Sequence, residues 1–177
     1  MDFDRKKFKQ LVHYVCHRCG DPRRLGSIKL NKILWFAEML TFERTGETLT
    51  GEQYVKRQFG PASRHVLRAI EELVDENMLS VRKPEMQYEP VLYFATGRPA
   101  LTGFSPDDIS LVDALVEEVC ENHTATSISR MTHDAIYDLA QMGEEIPPYA
   151  FLASSMGEIT DHDLRWAEKE LSNAAGR

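Results

Sequence analysis

Long apolar runs are missing from this chain of 177 residues. No stretch approaches the roughly 20 consecutive apolar residues of a membrane helix. The acidic opening Met1-Asp2-Phe3-Asp4 lacks the positive start of a signal peptide. A cytoplasmic protein without membrane contact is expected. Cysteine is scarce, and an odd count of 3 argues against a disulfide framework and suits a reducing compartment. No G-x-S-x-G, Walker A, H-E-x-x-H or deaminase signature occurs. The carboxylate pairs Glu71-Glu72 and Asp107-Asp108 are adjacent, so on a helix they point about 100° apart and form no acid/base dyad. The chain is therefore expected not to be an enzyme, with no catalytic residue and no cofactor.

Positive charge is lacking in the second half. Residues 99–177 hold 15 acidic and 4 basic side chains, a balance of −11, whereas residues 1–98 hold 17 basic and 13 acidic, a balance of +4. An acidic half repels phosphate backbones and attracts basic proteins; it also serves as a solubilising face. The remaining composition is that of a globular protein, with 42% hydrophobic and 28% charged residues. No repeat, low-complexity run or linker interrupts the chain, so a single domain over residues 1–177 is the simplest organisation.

The stretch Ile28 to Leu73 organises the rest. Leu30, Ile33, Leu34, Ala37 and Leu40 keep the i, i+3, i+4, i+7 rhythm of one helical face. Trp35, Phe36 and Met39 widen it beyond half the girth, as in a helix buried in a bundle. Gly46 suits the left-handed position that ends a helix. Gln53 to Gln58 reads as a strand, Gly60-Pro61 as a corner, and Pro61 as the first residue of the next helix. That helix carries Val66, Leu67, Ile70, Leu73 and Val74. Leu67, Ile70 and Val74 are expected to pack near a buried Leu30, Leu34 and Ala37.

Before this stretch, Phe3 to Cys19 predicts a helix with Phe8, Leu11, Val12, Val15, Cys16 and Cys19 in period, and with Arg5, Lys6, Lys7 and Lys9 crowded where the helix dipole disfavours them. After it, Met78 to Val81 and Val91 to Ala95 predict two strands around a loop at 84–90. Ser105-Pro106-Asp107-Asp108 is a helix start with a cap, a proline at the first position and acids in the first turn. Thr124 to Ser129 starts another helix. Thr132 and His133 lead into Ala135, Ile136 and Leu139, Gly143 stops that segment, and Pro147-Pro148 keeps the chain extended. A last helix follows Thr160, with Leu164, Ala167 and Leu171 on its face, before a fraying tail at 173–177. The expected fold is mainly α with a small antiparallel β element, an α+β domain whose middle resembles a winged helix.

Cys16-x-x-Cys19, with His13 and His17, invites a zinc reading. On a continuous helix Cys19 drifts off the face shared by His13, Cys16 and His17, and no second ligand pair follows at finger spacing. Core packing is expected and no metal.

Lys29-Leu30-Asn31-Lys32 with Ile33-Leu34-Trp35-Phe36-Ala37, then Phe59-Gly60-Pro61, Thr132-His133 and Ile146-Pro147, resembles the Panacea domain, the family of SocA-like antitoxins often found in prophages and mobile elements. Tyr137 stands where that pattern leads one to expect Trp. The resemblance implies a partner: a toxin encoded nearby, neutralised by direct contact or delivered to a cytoplasmic AAA+ protease by this chain as adaptor. It marks Lys29, Leu30, Lys32, Trp35, Phe36, Tyr54, Phe59, Gly60, Pro61, Thr132 and His133 as motif and candidate partner surface. His133 itself reads as a buried, satisfied histidine. Glu117, Glu118 and Glu121 form a candidate acidic steering face. The alternative is a winged-helix DNA-binding regulator reading through Arg57, Arg64, His65 and Arg68. Against it stand Glu71, Glu72, Asp75 and Glu76 on the same helix, and the acidic second half.

Overall fold

The computed structural model describes residues 2–86 and 89–155. The expected helix after Thr160 and the tail lie outside them. Helix α1 (Arg5–Cys19) is capped by Asp4, whose side chain accepts from Lys7 N. A 3-10 turn (Pro22–Arg24) leads into α2 (Gly26–Thr45), which ends at Gly46 with φ 77°. Strands β1 (Tyr54–Arg57) and β2 (Gly60–Ser63) form an antiparallel hairpin. Helix α3 (Val66–Asp75) follows, then a second antiparallel pair, β3 (Leu79–Arg82) and β4 (Leu92–Ala95). Helix α4 (Pro106–Glu117) runs into a π-helical turn (Glu118–Asn122), and α5 (Ala125–Met131), α6 (Ala135–Leu139) and α7 (Pro148–Ser155) complete the described chain. The fold is α+β and mainly helical.

Helix α2 is the axis of the core. It packs against α1, α4, α5, α7 and β2, and Leu30, Ile33, Leu34, Ala37 and Met39 have no exposed surface. An apolar face wider than half the helix can only be covered by neighbours on several sides. Phe8, Leu11, Val12 and Val15 come from α1, Val112 and Val116 from α4. The cap predicted at Ser105 is present, and Thr124 caps the helix expected from 124–129; each hydroxyl accepts the backbone N–H three residues on. The crowded cations of α1 face acids: Arg5 and Lys9 pair with Glu72 of α3, and Lys9 also with Glu76 at its C-terminal cap.

Several expectations are corrected. Pro61 does not open a helix: it lies in β2 opposite Lys56, and α3 begins at Val66. The start of α3 is satisfied instead by Glu52, accepting from Arg64 N (3.0 Å) and His65 N (3.3 Å), and by Ser63 Oγ, accepting from Val66 N (2.9 Å). Leu67 and Val74 are exposed, at 72% and 40%, because α3 turns Val66, Ala69, Ile70 and Leu73 to the core. That is the same helical repeat one residue earlier, about 100° round. Pro148 starts α7 and does not extend the chain, since a proline at a first helical position forfeits no hydrogen bond.

Candidate functional site

The four motif segments meet around the β1–β2 hairpin. Successive residues of a helix point about 100° apart, so Lys29 to Lys32 reach different neighbours. Lys29 Nζ donates to Cys120 O at 3.4 Å. Leu30 enters the core. Asn31 Oδ1 accepts from Ser63 N of β2 at 3.0 Å. Lys32, only 1% exposed, donates to Pro61 O at 3.4 Å. Gly60 lies over that ammonium: a Cβ there would collide with Lys32 Nζ and come within 2.5 Å of Thr132 Oγ1. Its φ of 102° is itself one that side chains resist. Burial lowers the Lys32 ammonium from an ordinary 10.5 to about 7.

Thr132 is buried, and its hydroxyl donates to Ser129 O at 2.9 Å. Ser129 Oγ in turn donates to Phe59 O at 2.9 Å, which ties α5 to the hairpin tip. His133 is exposed and not buried as expected, because its ring stacks on Tyr137 at 4.2 Å instead of entering the core. Burial, then the charge of Lys32, lower its pKa. Tyr137 is buried where the family pattern would place Trp, and its hydroxyl donates to Arg57 O at 2.6 Å. Lys56 Nζ donates to Tyr137 O at 2.6 Å and lies 4.3 Å from the ring centre. The fourth segment runs along the other edge of β1: Lys56 N donates to Glu144 O and Ile146 N to Tyr54 O, both at 2.9 Å. The hairpin is thus held on both edges.

Most of the motif is interior. Lys29, Leu30, Lys32, Trp35, Tyr54, Gly60, Pro61 and Thr132 are buried and Phe36 is half-buried, whereas Phe59 is 53% exposed. The interior part positions the exposed part. Phe59 and His133, with Ile28, Ala125 and Arg130, line an apolar cleft of about 290 Å³ between the hairpin tip and α5. A larger groove of about 720 Å³ lies between α3 and the β3–β4 pair, lined by Leu67, Val74, Val81, Val91 and Tyr93. Sequence periodicity assigned Leu67 and Val74 to the core and so missed this groove. It also missed Asn31, Lys56 and Ser129, whose roles depend on partners 32, 81 and 70 residues away.

The proposed acidic face is partly occupied. Glu121 pairs with Arg24 and Glu118 with His123 at 3.3 Å, while Glu117 is exposed. Side chains of the supposed recognition helix are also engaged: Arg64 pairs with Glu145 and Arg68 with Glu71 and Glu72, while His65 contacts Glu52 and stacks on Phe3. Cys16 is buried, whereas Cys19 meets Cys120. Among the described residues, no group of three or more His, Cys, Asp or Glu side chains is placed to hold a metal ion, and no helix is long and apolar enough to cross a membrane.

Searches against curated proteins and against solved structures give no match. A family model described as "Antitoxin SocA-like, Panacea domain" matches residues 30–136.

Proposed function

The chain belongs to the SocA-like antitoxin family of Panacea domains, and we propose on that premise that it neutralises a toxin encoded beside it by direct protein contact. The observation that carries the choice of surface is the exposed Phe59, fixed through its carbonyl by Ser129 at the mouth of an apolar cleft. A partly exposed aromatic on a rigid turn is what an interface anchor needs, because little side-chain entropy is lost when it is covered. The acidic balance of residues 99–177 supports a basic partner reached by steered encounter. Cytoplasmic residence and a protease adaptor role belong to the same proposal. In the adaptor form, the bound toxin is handed to an AAA+ protease.

Co-expression with the product of the adjacent gene tests this. Rescue of growth and co-purification of the two chains are expected, and Phe59→Asp abolishes capture without lowering the melting temperature. Rescue without co-purification, confined to cells with the protease intact, selects the adaptor form. Neither rescue nor complex refutes both.

A further inference from the structure

Cys19 and Cys120 are separated by 101 residues, yet their Sγ atoms share a hydrogen bond at 3.1 Å. Cys19 is the last residue of α1 and is half-buried; Cys120 is buried in the middle of the π-helical turn. The packing of α1 on α4 brings the two together. Cations flank the pair: Lys29 Nζ donates to Cys120 O, and Arg24 is ion-paired with Glu121, the residue after Cys120. The third cysteine makes the contrast. Cys16 is fully enclosed by the core, and burial pushes its thiol far up. A partly accessible thiol beside cations, with a second thiol in contact, is the arrangement of an oxidisable cysteine and its resolving partner.

We propose that Cys19 and Cys120 are a peroxide-sensitive thiol pair that closes into a disulfide joining the end of α1 to the π-helical turn. The hydrogen bond from Cys120, with the charges of Lys29 and Arg24, draws the Cys19 thiol below its ordinary pKa against burial and Asp21. The Cys19 thiolate attacks one oxygen of hydrogen peroxide. The O–O bond breaks, hydroxide leaves and takes up a proton, and Cys19 becomes a sulfenic acid, oxidised by two electrons. Cys120 then loses its proton as its sulfur attacks Cys19 Sγ; the S–S bond forms, the S–O bond breaks and water leaves. Two thiols and one peroxide give one disulfide and two waters. Closure needs the sulfurs to approach by about 1 Å. In a reducing compartment such a bond is transient and reports oxidant.

The test is peroxide treatment of the full-length reduced chain, followed by alkylation and non-reducing peptide mapping. The expected product is a peptide pair cross-linked through Cys19 and Cys120, released by dithiothreitol, with Cys16 still alkylated as a thiol. It should form at least tenfold faster in the native chain than in urea. Cys120→Ser should stop at a sulfenic acid on Cys19 that dimedone traps, and Cys19→Ser should leave Cys120 reduced. Three results overturn the proposal: Cys19 staying reduced under peroxide that oxidises free glutathione, a sulfinic acid in place of the cross-link, or equal rates in native and urea-unfolded chain. The wild-type comparison stands even if a variant folds poorly.

Discussion

A methyl group added at Gly60 would meet Lys32 Nζ and Thr132 Oγ1, so three motif segments constrain one another at a single backbone atom. Gly60→Ala is expected to destabilise by at least about 1–2 kcal/mol from the positive φ alone, read by chemical denaturation. Lys32 and Glu38 provide a pH test. The Lys32 ammonium is lowered from 10.5 to about 7, so the unfolded chain holds an extra proton between these values. Its stabilising contribution is complete above the upper value and is lost as pH falls to about 7, by about 1.4 kcal/mol per pH unit crossed. Glu38, which accepts from Thr50 N and Oγ1 under the loop after α2, is raised by burial from 4.5 to about 7. Its contribution is complete below the lower value and is lost as pH rises to about 7. Together the two groups place their least favourable point near neutrality. Lys32→Met should abolish the gain in stability as pH rises from about 7, and Glu38→Gln the gain as pH falls from about 7, in denaturation curves taken across the range. Leu34→Ala, at a site with no exposed surface, should cost about 2–5 kcal/mol.

At the scale of elements, the sequence of α2, the hairpin, α3 and the β3–β4 pair resembles a winged helix, but α3 is committed elsewhere. Its Glu72 receives Arg5 and Lys9 from α1 as well as Arg68 from the preceding turn of its own helix. A recognition helix whose charges are satisfied within the fold has little left for phosphates. The isolated chain is therefore expected to bind DNA weakly and to lose that binding as salt rises. Sequence-specific binding at physiological salt, measured by fluorescence anisotropy, would contradict this. The hairpin is the element through which partner binding should be felt. Phe59→Ala should speed dissociation of the toxin, whereas Tyr54→Ala, at a residue 1% exposed, should lower the melting temperature first.

For the whole molecule the controlling quantity is the charge asymmetry, −11 in residues 99–177 against +4 before them. Reversing Glu117, Glu118 and Glu121 to Lys should slow association with a basic toxin more than it speeds dissociation, with the difference shrinking at high salt, as measured by surface plasmon resonance. Because Glu121 and Glu118 already hold Arg24 and His123, Glu117→Lys alone should be the cleaner probe of steering.

Helices α1 to α6, the cap at Ser105, the stop at Gly46, the charge split and the motif order follow from sequence alone, because each depends on neighbours within a few residues or on composition. Tertiary structure decided the rest. Periodicity marks an apolar stripe without saying which 100° of it a neighbour will cover, so Leu67 and Val74 came out in a groove. Lys29 and Lys32, marked as candidate partner surface, lie inside, since their acceptors are carbonyls of the π-helical turn and of β2. Pro61 is an ordinary helix opener by local preference, yet β1 pairs with its strand first. The contact of Cys19 with Cys120 had no local sign at all: it exists only because α1 and α4 pack against each other.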